Sequence, residues 1–244
     1  MIRDIWTVAW RESKELFSRD GGLSGKLGLF IFAAFVGVFL PLQLGRAWIE
    51  APWVTFFWSW MPLFLVTAVT ADAFAGERER HTLETLLASR LPDSAILLGK
   101  VLATVMYVWG LTLFCMPLGL VTINLKHADG GLLLYSVTSL LSLAGLSLLA
   151  TILGSATGVL VSLRAASVRA AQQNLSMISM VLAFVPLIIF QALPLPWRAN
   201  VLTYFMAASI SDVVVVLATL LAALDITLLL IALGRFRRDR LVLD

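Results

Sequence analysis

The densest set of chemistry-bearing residues in this chain is Glu77-Arg-Glu-Arg-His-Thr-Leu-Glu84, where seven of eight residues are polar. His81 and Glu84 stand at i and i+3, a spacing that brings an imidazole and a carboxylate to one helical face. Two donors on a solvated loop fall short of a metal centre, and no His-Glu-x-x-His pattern supplies zinc ligands; a solvated charged face is the better account. A second chemical group is Asp225, a carboxylate inside an apolar run. In hydrocarbon such a group is protonated, paired or facing water. It is either a proton or cation relay or a lining group of a translocation path, or else a neutral acid bonded to a Ser or Thr, in Thr227's turn or in the fourth span. Nucleotide chemistry is not encoded. Two Gly-Lys pairs occur, Gly25-Lys26 and Gly99-Lys100, but Asp20 and Ser94 stand where a P-loop has its first glycine, and Leu27 and Val101 follow the lysines.

Gly22-Leu-Ser-Gly25 matches the Gly-x-Ser-Gly pattern of intramembrane serine proteases. A serine hydroxyl needs a neighbouring base to become a nucleophile. Ser24 lies at the edge of the first apolar run, while His81 and His127 fall in loops expected on opposite sides of a membrane. A flexible turn over Arg19–Lys26 is the reading preferred to a protease site.

The elements that must carry these groups are membrane spans. The 244 residues are 60% hydrophobic and 14% charged, with mean hydropathy +0.93. A soluble domain is about a quarter charged. The net charge of +3 is too small to suggest nucleic acid. One cysteine, Cys115, excludes an internal disulfide. The first 26 residues are amphipathic and charged rather than carrying the apolar core of a signal peptide. Over Ile2–Arg19, Ile2, Ile5, Trp6, Ala9, Trp10, Leu16 and Phe17 oppose Arg3, Asp4, Arg11, Glu12, Lys14 and Glu15, which predicts a helix in the membrane interface.

Charge-free runs follow at Leu27–Gly45, Ala51–Ala71, Val101–Leu125, Gly130–Leu163 and Ala170–Trp197, then Val213–Gly234 interrupted by Asp225. Each meets the roughly 20 residues a helix needs to cross hydrocarbon. The reading is an all-α polytopic membrane protein, a single domain over 1–244 with six transmembrane helices at about 27–45, 53–74, 99–124, 133–162, 174–194 and 212–234. The run Gly130–Leu163 exceeds one span, so its ends are expected to protrude or bend. With both termini inside, 15 of the 18 Lys and Arg are cytoplasmic and only Arg46, Lys126 and Arg198 are outside, a positive-inside pattern that puts the Glu77 loop in the cytoplasm. The outer loops are short except before the sixth span, leaving no room for an extracytoplasmic domain. Asn124 and Gln191 are expected at the outer interface. Ala150, Gly154 and Gly158 recur every four residues, a stripe for close packing within a bundle or across a dimer. Pro41, Pro62, Pro117 and Pro186 interrupt spans and are candidate kinks.

Taken together, Gly76-Glu-Arg-Glu-x-x-Thr-Leu-Glu-x-Leu-Leu-Ala, Pro92 and Ile96-Leu-Leu-Gly-Lys100, with Trp10-Arg-Glu before the first span and the inner loop Ser162–Gln173, resemble type-2 ABC exporter permeases. His81, and Arg90-Leu91 before Pro92, depart from the small residues common there. The resemblance implies a cell-membrane permease subunit that pairs with a second copy or a paralogue and with separate ABC ATPase subunits. ATP and Mg would sit in that partner ATPase, with no cofactor in this chain. It also implies that a short coupling helix between spans 2 and 3, Thr82–Ala88, fits a cleft on the ATPase. Leu83, Leu86 and Leu87 would form its apolar ridge, Thr82 its start, and Glu77, Glu79 and Glu84 charges toward a basic rim. An ion-coupled secondary transporter using Asp225 is the alternative from another class.

Overall fold

The structure, a computed structural model, describes residues 1–19, 23–82, 90–127, 131–207 and 210–236. Its elements in order are α1 (Ile2–Arg19), α2 (Leu23–Ala34), a π-helical segment (Phe35–Phe39), α3 (Leu40–Leu44) and α4 (Ala47–Glu50). Then come α5 (Pro52–Glu79), α6 (Asp93–His127), α7 (Val137–Ser162), α8 (Val168–Ala192), α9 (Leu195–Ala207) and α10 (Ile210–Arg235). Among the described residues, five helical stretches are long and apolar enough to cross a membrane: Leu27–Leu44, Phe57–Glu79, Asp93–Lys126, Val137–Ser162 and Ser211–Arg235. They agree with five of the runs read from the sequence. α8, 25 residues long, occupies the remaining run.

The first stretch is continuous but not regular, and Pro41 is the reason. Proline has no N–H to give the carbonyl four residues back, here Gly37. The helix loosens to π geometry over Phe35–Phe39, and the Thr122 hydroxyl of α6 stands within hydrogen-bond distance of the Gly37 carbonyl at 3.0 Å and of the Leu118 carbonyl of its own helix at 2.9 Å. The kink expected at Pro41 thus leaves a carbonyl facing a hydroxyl that two acceptors share.

α7 is the hub. It packs along α5, α6, α8 and α10, most extensively along α5. The small-residue stripe makes that approach possible. A Cβ on Gly154 would stand 3.1 Å from a Val66 methyl, and one on Gly158 would overlap the Thr70 side chain. The stripe therefore serves packing inside this chain. Hydroxyls in these apolar helices bond to their own backbones: Thr70 to Val66, Thr151 to Ser147 and Ser155 to Thr151, the usual solution where water is absent.

Four local expectations change. α2 begins at Leu23, so the turn over Arg19–Lys26 gives way to helix three residues after Asp20. α7 starts at Val137 rather than near 133, because Ser136 caps it, accepting from the Ser139 N–H at 3.0 Å. The preceding segment is held by Asn124, whose amide donates to the Leu133 carbonyl and accepts from its N–H, each at 2.8 Å. Asn124 is therefore a loop clamp. Finally, the long connection before the last span contains a helix, α9; Arg198 joins it to α8 through the Leu193 and Gln191 carbonyls.

The close contact of α5 and α7 yields a paired outcome. Gly158→Ala places a methyl against the β-branched, stiff Thr70 and is expected to destabilise by about 1–3 kcal/mol, the usual cost of overpacking. Gly145→Ala meets nothing within 4 Å and is expected to be neutral or stabilising by up to about 1 kcal/mol, since alanine favours helix. Thermal unfolding in detergent, followed by tryptophan fluorescence, reads both; equal shifts would contradict the packing.

Candidate functional site at the charged end of the bundle

α5 ends in Gly76-Glu-Arg-Glu-Arg80, and each charged side chain reaches a different partner. Glu77 accepts from the Lys100 ammonium of α6 at 2.8 Å, and Lys100 also donates to Glu12 of α1 at 2.9 Å. The Lys100 side chain is 2% exposed, and its ammonium lies 5.3 Å from the Phe74 ring centroid, close enough for a cation–π contribution. Arg78 donates to the carbonyls of Leu163 at 2.9 Å and Ala165 at 2.8 Å, just past the C-terminus of α7. Glu79 accepts from the Val168 N–H at 2.9 Å, the first residue of α8. Arg80 turns back to Asp72 two turns earlier, at 3.2 Å.

Helix polarity explains the signs. Unpaired carbonyls make a C-terminus negative and unpaired N–H groups make an N-terminus positive. Arg78 meets the first kind and Glu79 the second. Ser162 strengthens the α5–α7 join: its hydroxyl donates to the Ala71 carbonyl at 3.1 Å and accepts from the N–H groups of Phe74 and Ala75 at 3.0 and 2.9 Å. Gly76 has its own role. A Cβ there would overlap the Asp72 carboxylate, so glycine leaves Asp72 lying along the helix toward Arg80.

The helix is closed by a Schellman turn. The Thr82 N–H bonds to the Glu77 carbonyl at 2.9 Å and the His81 N–H to the Arg78 carbonyl at 3.1 Å, the paired bonds that define the motif. His81 takes the left-handed position with φ 56°, where glycine is usual. Its departure from a small residue, visible in the sequence, falls on the one backbone position that disfavours a side chain.

Among the residues singled out from sequence, Glu77, Glu79 and Thr82 thus converge on this cluster. Glu77 is turned inward to Lys100 and Glu79 is bonded to α8. Leu83, Glu84, Leu86 and Leu87 lie outside the described residues, and so does most of the expected coupling helix. Asp225 is elsewhere. It is 4% exposed and ten residues, roughly 15 Å at 1.5 Å per residue, from the end of α10. Leu221 and Leu228, on its helical face, pack against Leu63, Ala150 and Leu153. Among the described residues neither Asp225 oxygen has a hydrogen-bond partner. The hydroxyls proposed to hold it are used otherwise: Thr227 bonds to the Ala223 carbonyl, and Ser147, Thr151 and Ser155 bond along α7.

The sequence reading did not single out Lys100, Glu12, Arg78 or Ser162. Lys100 carried a signal, being a lone cation that opens a long apolar run. Pairing it with Glu12, 88 residues away, has no local signature.

Two outcomes follow from this geometry. Lys100→Met leaves two mostly buried carboxylates without their cation and is expected to cost about 3 kcal/mol or more; α1 then becomes open to limited trypsin cleavage at Arg11 or Lys14. Adding Glu12→Gln and Glu77→Gln is expected to recover most of the loss, and no recovery would show that Lys100 acts by packing alone. His81→Gly removes a left-handed side-chain conformation costing about 1–2 kcal/mol and is expected to raise the unfolding temperature, while His81→Val lowers it.

Compared with known proteins, the chain matches no family model and no curated sequence.

Proposed function

We propose that this chain is the membrane-spanning permease subunit of an ATP-driven exporter, in the manner of the type-2 ABC permeases it resembles. In this reading α8 is a sixth span, both termini are cytoplasmic and the charged end of the bundle faces the cytoplasm of a cell or inner membrane. A second copy or a paralogue completes the translocation path. A separate ABC ATPase, holding ATP and Mg, docks on the loop 75–100.

The observation that carries the reading is the wiring of Glu77–Arg80. The segment that follows, Thr82–Ala88, is the expected coupling helix. The four charges before it are bonded to α6, to the chain just past α7, to the start of α8 and to α5 itself, and Lys100 carries the connection on to Glu12 of α1. A push on that segment is delivered to five helices through short charge-assisted bonds, the stronger class of hydrogen bond. A transmission element needs such a mount, and a merely solvated loop does not.

Leu86→Asp with Leu87→Asp is expected to abolish co-purification with the ATPase while the chain still inserts and unfolds at its usual temperature. Undiminished co-purification removes the coupling role. A second reading rests on Asp225, whose carboxyl, buried and unpartnered among the described residues, suits ion coupling. It requires gradient-driven proton or cation flux through this chain alone, read by an entrapped pH dye in proteoliposomes, and loss of that flux in Asp225→Asn.

A further inference from the structure

Beside the charged cluster, at the same end of the bundle, a separate groove of about 450 Å³ opens between the ends of α7 and α10 and the first turns of α8. Two arginines line it, Arg164 in the turn just past α7 and Arg235 at the end of α10, together with Asn174 and the apolar Met177, Ile178 and Leu160. Both arginines are exposed, and no described carboxylate pairs with either.

Neither arginine is needed to close a helix. The carbonyls past the end of α7, Leu163 and Ala165, already accept from Arg78. Phe236, directly after Arg235, is buried against Phe74 with ring centroids 5.2 Å apart, which fixes where the Arg235 backbone sits. Two guanidiniums with no carboxylate partner among the described residues leave the groove with an excess of positive charge. Each guanidinium presents planar paired donors that match phosphate oxygens.

The depth of the groove selects the kind of anion. α7 and α10 are both apolar enough to cross a membrane and end at Ser162 and Arg235, so the arginines stand at the level where hydrocarbon meets headgroups. Below them Met177, 62% exposed, continues the wall along α8. Basic pockets between transmembrane helices on the cytoplasmic side are the kind that hold anionic lipid headgroups. The geometry points to a binding site for one anionic phospholipid of this leaflet. Its phosphodiester bridges Arg164 and Arg235, Asn174 bonds the ester or glycerol oxygens, and an acyl chain runs along Met177 and Ile178. The groove does not depend on the energy source proposed above; only the naming of the leaflet as cytoplasmic does.

The test uses the full chain in detergent, titrated with phosphatidylglycerol, phosphatidylcholine or inorganic phosphate, with bound lipid counted by native mass spectrometry. Phosphatidylglycerol is expected to bind at least tenfold more tightly than phosphatidylcholine. Arg164→Gln with Arg235→Gln is expected to erase that preference, whereas Arg3→Gln with Arg11→Gln on α1 leaves it intact. Equal affinity of the wild-type chain for the two lipids overturns the proposal without recourse to any variant. So does a preference that survives the Arg164/Arg235 double change, or inorganic phosphate displacing the lipid at equal concentration, which would mark a free-anion site. Because no ATPase is present, failure here leaves the coupling reading standing, and failure of Leu86→Asp with Leu87→Asp leaves this site standing.

Discussion

Taking an ammonium out of water costs several kcal/mol after relaxation, and Lys100 is almost wholly out of water. What makes its position tenable is that two carboxylates approach it at once, Glu12 at 2.9 Å and Glu77 at 2.8 Å. Much of the charged end follows from this compensation. Glu12 can reach Lys100 only if α1 lies along α6, and α1 does so closely: a Cβ on Gly99 would meet the Val8 side chain. Glu77 can reach it only if the last turn of α5 stands beside the first turns of α6. The ion triad therefore fixes the amphipathic N-terminal helix and the helix pair flanking the loop with one set of bonds. Among the described residues the second Glu77 oxygen has no hydrogen-bond partner.

α1 is consequently two-sided. Val8, Ala9 and Ser13 are buried on the bundle, while Ile2, Trp6 and Trp10 are exposed at i, i+4 and i+8. Trp6 and Trp10 stack at 6.5 Å. One apolar strip of the helix is covered by protein, and the pattern Ile-x-x-x-Trp-x-x-x-Trp forms a second that is left exposed. The sequence shows amphipathicity without dividing its apolar face into these two strips.

Legibility followed the range of the interaction. Spans were readable because hydrocarbon imposes length and composition locally, which is why five described stretches agree with charge-free runs to within a few residues at most ends. Helix ends were less readable. Ser136 caps α7 from inside an apolar run, and Pro41 opens a π segment instead of ending a span, with the Thr122 hydroxyl of another helix facing the released carbonyl. α9 was missed because a charge-based division reads Arg198 and Asp212 as loop boundaries, although Leu195–Ala207 between them is helical. In the site, the motif around Glu77 was visible as a string. Its partners were not, because Lys100, Leu163 and Val168 are brought to it only by tertiary structure.

The order of the charges in that string has a geometric cause. Successive residues of an α-helix point about 100° apart, so Glu77, Arg78, Glu79 and Arg80 together look in every direction around the end of α5. What each must be is set by what lies in its direction. A lysine approaches from α6, so position 77 is an anion. α7 arrives carbonyl-end first, so position 78 is a cation. α8 departs N–H-end first, so position 79 is an anion again. Position 80 faces back over Gly76 to Asp72 and is a cation. Alternation of sign thus records the chain direction of the neighbouring helices. A purely solvated loop would satisfy polarity with any order of the same residues, whereas this order satisfies one arrangement of helix ends around α5.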